Sequence, residues 1–299
     1  MKVWTQWPDL NLPAGVTALP TDGKVPADSD LAEIEFYVPA YMSGLTGLNP
    51  IKGMNNLKII QSPNAGYDDV LQVLPDGVTL CNAAGVHDAS TAELAVGLLI
   101  AARRGFAQFM QDQIKGNWNH THNRALADSK VGIVGAGNIG KTIGAMLSHS
   151  FVETIFFSRS GKDGALTMDK FDQLLPSLDV VILILPLTAE SRHLMNATRL
   201  AAMKDGATLV NVARGAVVDT DALVRELNSG RITAGLDVTD PEPLPAGHPL
   251  WSAPNCIISP HVGGDSTAFT PRGRALVEAQ LGRLARGESL ANVVAGPAR

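Results

Sequence analysis

Residues 130–134 read Lys-Val-Gly-Ile-Val and lead straight into Gly135-Ala136-Gly137-Asn138-Ile139-Gly140, after which Ile143, Met146 and Leu147 recur at helical spacing. This order of strand, glycine loop and helix constrains the fold more than any other feature of the chain. In such a turn the first glycine allows the tight bend and the second lets the backbone approach a pyrophosphate. The third lets the helix pack against the strand, and the helix N-terminus presents N–H donors and the positive end of its dipole. The segment therefore predicts a parallel α/β domain that binds a dinucleotide, with Gly135, Gly137, Asn138, Ile139 and Gly140 forming the cradle.

The same alternation continues. Apolar runs at 154–157, 180–185 and 208–212 are separated by helical patterns, and 180–185 has no polar alternation, as expected of a strand buried on both faces. Residues 1–85 carry shorter strand candidates at 2–5, 35–38, 57–60 and 78–81, with Pro- and Gly-rich turns, and read as a smaller α/β domain. A helix follows. Ser90-Thr91-Ala92-Glu93 is a capping box, residues 94–102 are apolar nearly all round, and Gly105 is the stop after Arg103 and Arg104. An apolar helix of this kind suits a connector between domains or a subunit interface. Residues 115–128 are polar and loop-like. A second long helix is predicted over about 271–286, with Thr270 as N-cap, Pro271 at the first position and Gly287 as stop. It follows the last central strand and can cross back to the first domain. The expected fold is α/β with two Rossmann-like or flavodoxin-like domains. The dinucleotide-binding domain, 93–265, is inserted in an outer substrate domain made of 1–92 and 266–299.

Composition removes other function classes. Lys and Arg number 24 against 29 Asp and Glu, a net charge of −5, so the basic footprint that nucleic acid requires is missing. The longest apolar run, 94–102, is nine residues, against about 20 for a membrane span. The N-terminus, Met-Lys-Val-Trp-Thr-Gln-Trp-Pro, lacks the apolar stretch of a signal peptide. Only two cysteines occur, Cys81 and Cys256, at strand-like positions that suit small buried hydrophobes; they fit a reducing compartment, and a cytoplasmic protein is expected. His120-x-His122 has no Cys or carboxylate cluster beside it, so no metal is expected. His87, ahead of the capping box, is expected to make a local hydrogen bond.

The strand at 154–157 ends in Ser158-Arg159-Ser160. A carboxylate at this strand end would bind the ribose hydroxyls of NAD and repel a 2′-phosphate. None stands here: Glu153 precedes the strand and Asp163 lies beyond the loop. Two hydroxyls and a guanidinium fork match a phosphate instead, which predicts NADP(H) as preferred cofactor, with NAD(H) possible. Stacking of Arg159 on adenine would leave either cofactor usable.

Three later strand ends each carry a sharp residue. Arg214 follows 208–212, Asp237 and Glu242 lie in Asp237-Val238-Thr239-Asp240-Pro241-Glu242-Pro243, and His261 follows Ser259-Pro260. The C-terminal edge of an open α/β sheet is where ligands bind. Each residue alone has a bland reading: a helix cap, a solvated acid, a structural histidine. Together, after a dinucleotide loop, they supply what reduction of a 2-keto acid needs. Arg gives a cation for the carboxylate, His an acid for the carbonyl oxygen, and a carboxylate fixes the imidazole tautomer.

With Asn64-Ala65-Gly66-Tyr67-Asp68, Ala92-Glu93, the glycine loop, Asn211-Val212-Ala213-Arg214-Gly215, Glu242-Pro243-Leu244-Pro245 and Pro260-His261 in order, the chain resembles the D-isomer-specific 2-hydroxyacid dehydrogenases. Within that family it is most like the NADPH-preferring glyoxylate and hydroxypyruvate reductase branch. The resemblance implies that Arg214 holds the substrate carboxylate and carbonyl, that His261 is the general acid in reduction, and that Glu242 pairs with His261 and favours its protonated form. It implies that Asp237 binds the nicotinamide carboxamide, and that the N–H groups of Ala65 and Gly66 receive the substrate carboxylate from the outer domain. Leu185, Pro186, Ala213 and Gly263 complete the expected cofactor contacts, beside Ser158, Arg159 and Ser160. Tyr41, Met42 and Trp251 are the expected pocket walls. Arg272 and Arg274, in the first turn of the last helix, either face an anionic ligand or stand exposed. The implied activity is NADPH-dependent reduction of a small 2-keto acid to a D-2-hydroxy acid, by a homodimer with no membrane or nucleic-acid partner. The alternative is a non-catalytic dinucleotide sensor of the corepressor type on the same fold. The intact Arg214, Glu242 and His261 set, and the lack of a long disordered tail, favour the enzyme.

Overall fold

The computed structural model describes residues 1–19 and 24–297. Its strands are β1 Lys2–Trp4, β2 Thr17–Ala18, β3 Ile34–Tyr37, β4 Ile59–Gln61, β5 Thr79–Cys81, β6 Lys130–Val134, β7 Glu153–Phe157, β8 Val180–Leu183, β9 Thr208–Asn211, β10 Thr233–Leu236, β11 Cys256–Ile258 and β12 Val293–Ala295. Its helices are α1 Asp28–Leu31, α2 Asp68–Leu71, α3 Asp88–Arg103, α4 Phe106–Lys115, α5 Asn138–Leu147, α6 Met168–Leu174, α7 Ala197–Ala202, α8 Thr220–Asn228 and α9 Phe269–Ala285. The chain divides into two compact units, residues 1–87 with 267–299, and residues 88–266. All of α3 falls in the second unit, whereas the sequence reading divides it between the two.

In the second unit six parallel strands run in the order β11-β10-β9-β8-β6-β7. A single parallel bridge from Phe157 to Leu166 extends the β7 edge. With Leu166 counted as a vestigial third strand, the order is 3-2-1-4-5-6-7, which places the topological switch point between β6 and β8, at the glycine loop. β8 is buried along its whole length. One face carries Ala95, Leu98 and Leu99 of α3 and Ile143 and Leu147 of α5; the other carries Phe171, Leu200 and Leu223 from α6, α7 and α8. Met146 of α5 lies outside this core and is exposed, since only the 143/147 spacing faces the sheet.

In the first unit β5, β4, β3, β1 and β2 are parallel and β12 pairs antiparallel with β5. Phe269, Val277 and Leu281 of α9 pack on one face of this sheet, with Val3, Trp7 and Phe36.

Two helix starts depart from expectation. α3 starts at Asp88, two residues before the capping box, with the Asp88 carboxylate in the first turn where the dipole favours it. α9 starts at Phe269 with Ala268 as N-cap, so Thr270 and Pro271 lie inside the first turn. First-turn N–H groups have no intrahelical acceptor, so a proline there costs no bond. Gly105 does stop α3, in the left-handed conformation at φ 71°, but α4 begins immediately beyond it.

Candidate active site

The ends of β9, β10 and β11 are knitted together by main-chain contacts. The Asn211 amide accepts from the Ala213 N–H and donates to the Arg214 carbonyl, both at 3.0 Å, which shapes the turn that presents Arg214. Gly215 follows because nothing larger fits: a Cβ there would stand 1.9 Å from the Thr239 carbonyl oxygen. That close approach fixes the Arg214 turn against the loop leading to Glu242.

Asp237, 3 % exposed, organises the next turn. Its Oδ1 accepts from Ser259 Oγ at 2.6 Å and from the Val262 N–H at 2.9 Å, and its Oδ2 accepts from the Gly263 N–H at 2.9 Å. Its carbonyl accepts the His261 N–H at 2.8 Å. His261 is thereby held at φ 54°, a left-handed conformation uncommon for any residue but glycine. The turn aims the imidazole at Glu242: His261 Nδ1 pairs with Glu242 Oε1, and both side chains keep about a third of their surface open. Arg214 is half-buried, and its Nη1 donates to the Ala213 carbonyl at 2.7 Å.

At the switch point the three glycines have separable jobs. A Cβ on Gly135 (φ 122°) would strike the Ile184 carbonyl at 1.8 Å, and one on Gly140 the Gly135 carbonyl at 1.9 Å. A Cβ on Gly137 would meet nothing within 4 Å. The backbone there opens onto free space at the N-terminus of α5, the shape a pyrophosphate needs.

Residues 96–263 match the family described as D-isomer specific 2-hydroxyacid dehydrogenase, NAD binding domain. The chain belongs to the D-isomer specific 2-hydroxyacid dehydrogenases. It is 33% identical over 248 residues to a glyoxylate reductase of Thermofilum pendens, covering 78% of this chain and 73% of that one. It is 34% identical over 239 residues to a hydroxypyruvate reductase of Thermotoga maritima, covering 76% and 78%. The fold matches that of a D-isomer specific 2-hydroxyacid dehydrogenase from Xanthobacter autotrophicus, solved with NADPH and MES, with TM-score 0.78 and 28% identity over 99% of this chain and 98% of that one.

As a D-2-hydroxyacid dehydrogenase the chain is an oxidoreductase that binds a nicotinamide dinucleotide, and the glycine turn fits that group. Beyond β7, Ser158 Oγ accepts the Gly161 N–H at 3.1 Å and Ser160 Oγ the Lys162 N–H at 3.4 Å, so both hydroxyls shape the loop. Arg159 is exposed. Glu190 lies close enough to feel it: the Thr188 hydroxyl and Glu190's own N–H hold the Glu190 carboxyl below the usual range, and attraction to Arg159 adds to this. Leu185, half-buried, and Pro186, exposed, lie just past the end of β8 rather than inside it, and Ala213 is buried.

In the first unit, Ala65 and Gly66 follow β4. The Asn64 carbonyl accepts the Ala83 N–H at 2.9 Å and the Ala65 carbonyl accepts Asn82 Nδ2 at 2.8 Å. In a trans peptide the next N–H points opposite to the carbonyl. The N–H groups of Ala65 and Gly66 therefore both face away from the 82–83 segment, and among the described residues neither donates to a protein acceptor. Two such donors side by side make an anion-binding concavity.

The expected wall residues fall in different units. Tyr41 is stacked on Phe269, with ring centroids 4.0 Å apart, and on His87 at 5.3 Å. Met42 is exposed at φ 57°. Trp251 is exposed and donates from Nε1 to the Pro245 carbonyl at 2.9 Å. His87 is buried, and its Nε2 reaches past its chain neighbours to the Pro63 carbonyl, 24 positions away, at 2.8 Å. Of the two arginines opening α9, Arg274 is paired with Asp9 and Arg272 donates to the Ala268 carbonyl at 3.1 Å. Cys81 is fully buried in β5, which pushes its thiol up to about 11; Cys256 in β11 is only half-buried.

Sequence reasoning missed Asn211, Ser259, Asn82 and the Pro63 contact of His87. Asn211 shapes its own turn, Ser259 meets the Asp237 side chain, and Asn82 and His87 meet carbonyls 17 and 24 positions away, long-range contacts that no local pattern signals. Gly215 was quoted only as part of a motif, and its reason is the approach of Thr239.

Proposed function

We propose that this dehydrogenase reduces a small 2-keto acid of the glyoxylate or hydroxypyruvate kind to the D-2-hydroxy acid, with NADPH preferred and His261 as proton donor. The observation that carries the reading is the His261–Glu242 pair, held on the strand-end edge that also presents Arg214 and the glycine turn. A bound nicotinamide supplies the hydride. Glu242 accepts the Nδ1 proton of His261 and so leaves Nε2 to carry the mobile one, which His261 gives to the keto oxygen. Arg214 holds the substrate carboxylate by its guanidinium fork and polarises the carbonyl. The N–H groups of Ala65 and Gly66 are the proposed main-chain donors to the carboxylate. Asp237 is the proposed contact of the nicotinamide carboxamide, through the acceptor capacity its three donors leave.

The NADPH preference rests on Ser158-Arg159-Ser160, with no carboxylate at that strand end, and is supported by the Xanthobacter relative solved with NADPH. A homodimer is supported by α4. Its Phe106, Phe109, Met110 and Ile114 recur on one face and are exposed, Ile114 at 83%, and Trp118 beyond it is 99% exposed. Phe109, Trp118 and His120 line a groove of about 600 Å³. An apolar stripe of this size marks a protein contact. Unpaired Cys81 and Cys256 fit a cytoplasmic location.

The deciding experiment is cofactor oxidation by purified protein with glyoxylate, hydroxypyruvate, pyruvate and phenylpyruvate, each with NADPH and NADH. Turnover of the small acids with NADPH well above NADH is expected. Tight NADPH binding without turnover of any of the four would overturn the catalytic reading in favour of a dinucleotide sensor.

A further inference from the structure

Four successive carbonyls after β4 are each taken by a donor of the first unit. Gln61 Nε2 holds Ser62 O at 3.0 Å, His87 Nε2 holds Pro63 O at 2.8 Å, the Ala83 N–H holds Asn64 O at 2.9 Å, and Asn82 Nδ2 holds Ala65 O at 2.8 Å. Each pinned carbonyl sets one peptide plane, and past the Ser62–Pro63 bond, whose nitrogen carries no hydrogen, each plane fixes the direction of the following N–H. The run ends at the amides of Ala65 and Gly66. His87 is the one member of this set that is both titratable and buried, at 4% exposure, and no step of the reaction uses it. Its ring packs against the stacked pair of Tyr41 and Phe269, with centroids 5.3 Å and 5.4 Å away at small interplanar angles. A buried histidine held this firmly, with one ring nitrogen donating to a carbonyl two residues before an anion-binding amide pair, is placed to set the geometry of that pair.

We propose that His87 is a positioning residue for the substrate carboxylate: its Nε2–H on the Pro63 carbonyl fixes the peptide plane that leads into the Ala65 and Gly66 amides. The proposal rests on the reading that these amides receive the carboxylate. Both the neutral Nε2–H tautomer and the protonated ring keep this donor, so the bond is compatible with either charge state. The binding of the dinucleotide, in the other unit, does not depend on it.

The test uses His87→Phe, which keeps a ring for the stack and removes the donor, and His87→Gln, which keeps an N–H donor. Steady-state kinetics with the best 2-keto acid are paired with NADPH titration and thermal melting of each variant. His87→Phe is expected to raise KM about tenfold, the loss of one hydrogen bond's worth of positioning. Its kcat should change less than about threefold and its NADPH affinity should be unchanged, while His87→Gln recovers most of the KM. An unchanged KM in His87→Phe would overturn the proposal. So would a Gln variant no better than the Phe variant, or a rise in KM accompanied by falls in kcat, NADPH affinity and melting temperature together. Ala65→Pro, which deletes one cradle N–H, separates the two levels. A raised KM in Ala65→Pro with none in His87→Phe leaves the cradle standing and removes His87 from it. An unchanged KM in Ala65→Pro removes the cradle itself, and His87's role with it.

Discussion

The carboxylate of Asp237 accepts the N–H of Gly263 at 2.9 Å, across the gap between the ends of two neighbouring strands. One buried charge thus sets the turn from which His261 projects. In Asp237→Asn the NH₂ group faces either the Gly263 N–H or the Val262 N–H with the Ser259 hydroxyl, so one N–H loses its acceptor in either orientation. We expect it to lower stability by about 1–3 kcal/mol and to lower kcat as the His261 ring shifts. Denaturant melts alongside steady-state kinetics check both.

His261→Asn should lower kcat by about 10²-fold or more with NADPH affinity retained, because the lost group transfers a proton and does not touch the glycine turn. Nucleotide titration by fluorescence, run beside turnover, makes the comparison. Unchanged turnover would remove His261 as proton donor.

Arg159→Ala should weaken NADPH far more than NADH, since only the 2′-phosphate loses a charge-assisted bond. Equal losses for both cofactors would mean that Arg159 does not distinguish them. The ratio of the two kcat/KM values is the quantity to measure.

The Asp172 carboxylate receives Arg199 at 2.7 and 3.0 Å. That hydrogen bond, with the guanidinium charge behind it, holds the Asp172 carboxyl below its ordinary 3.8. A carboxyl depressed in the folded state contributes stability that is full above its unfolded pKa and is lost as pH falls through the folded one. The pair is partly exposed, so Asp172→Asn should cost only about 0.5 kcal/mol at pH 7, and the difference from the parent should shrink as pH drops below about 4. Urea melts at pH 7 and pH 3 test this. A difference that grows on acidification would contradict the sign.

Ile114→Glu should convert the proposed dimer to a monomer in analytical ultracentrifugation, with the far-UV spectrum unchanged, because the side chain is 83% exposed within one chain. A monomeric parent would dispose of the α4 interface.

Much of this was legible in the chain. The runs at 130–134, 154–157 and 208–212 became β6, β7 and β9 within a residue or so; β6 and β9 are buried on both faces and so admit few polar residues, and the half-buried edge strand β7 shows through its Ile-Phe-Phe run. Arg214, Glu242 and His261 were found because each follows a strand and precedes a turn. The helix α4 was passed over although Phe106, Phe109, Met110 and Ile114 recur at 3.6-residue spacing, since Gly105 reads as an end and its left-handed φ also serves as a joint. Asp237 shows the harder limit. Its type and place are plain in the sequence, but the three donors converging on it come from residues 259–263, and only the pairing of β10 with β11 brings them within reach.

The bridge at Leu166 has a consequence for how this chain could change. The segment 158–165 is anchored to the β7 edge at its far end by two main-chain bonds of one residue, Leu166 N–H to Phe156 O at 2.8 Å and Ser158 N–H to Leu166 O at 2.9 Å. Neither bond depends on which side chains the loop carries. The stretch is therefore a replaceable cassette: residues that sort one dinucleotide from another can be exchanged there while the register of the remaining six strands stays as it is.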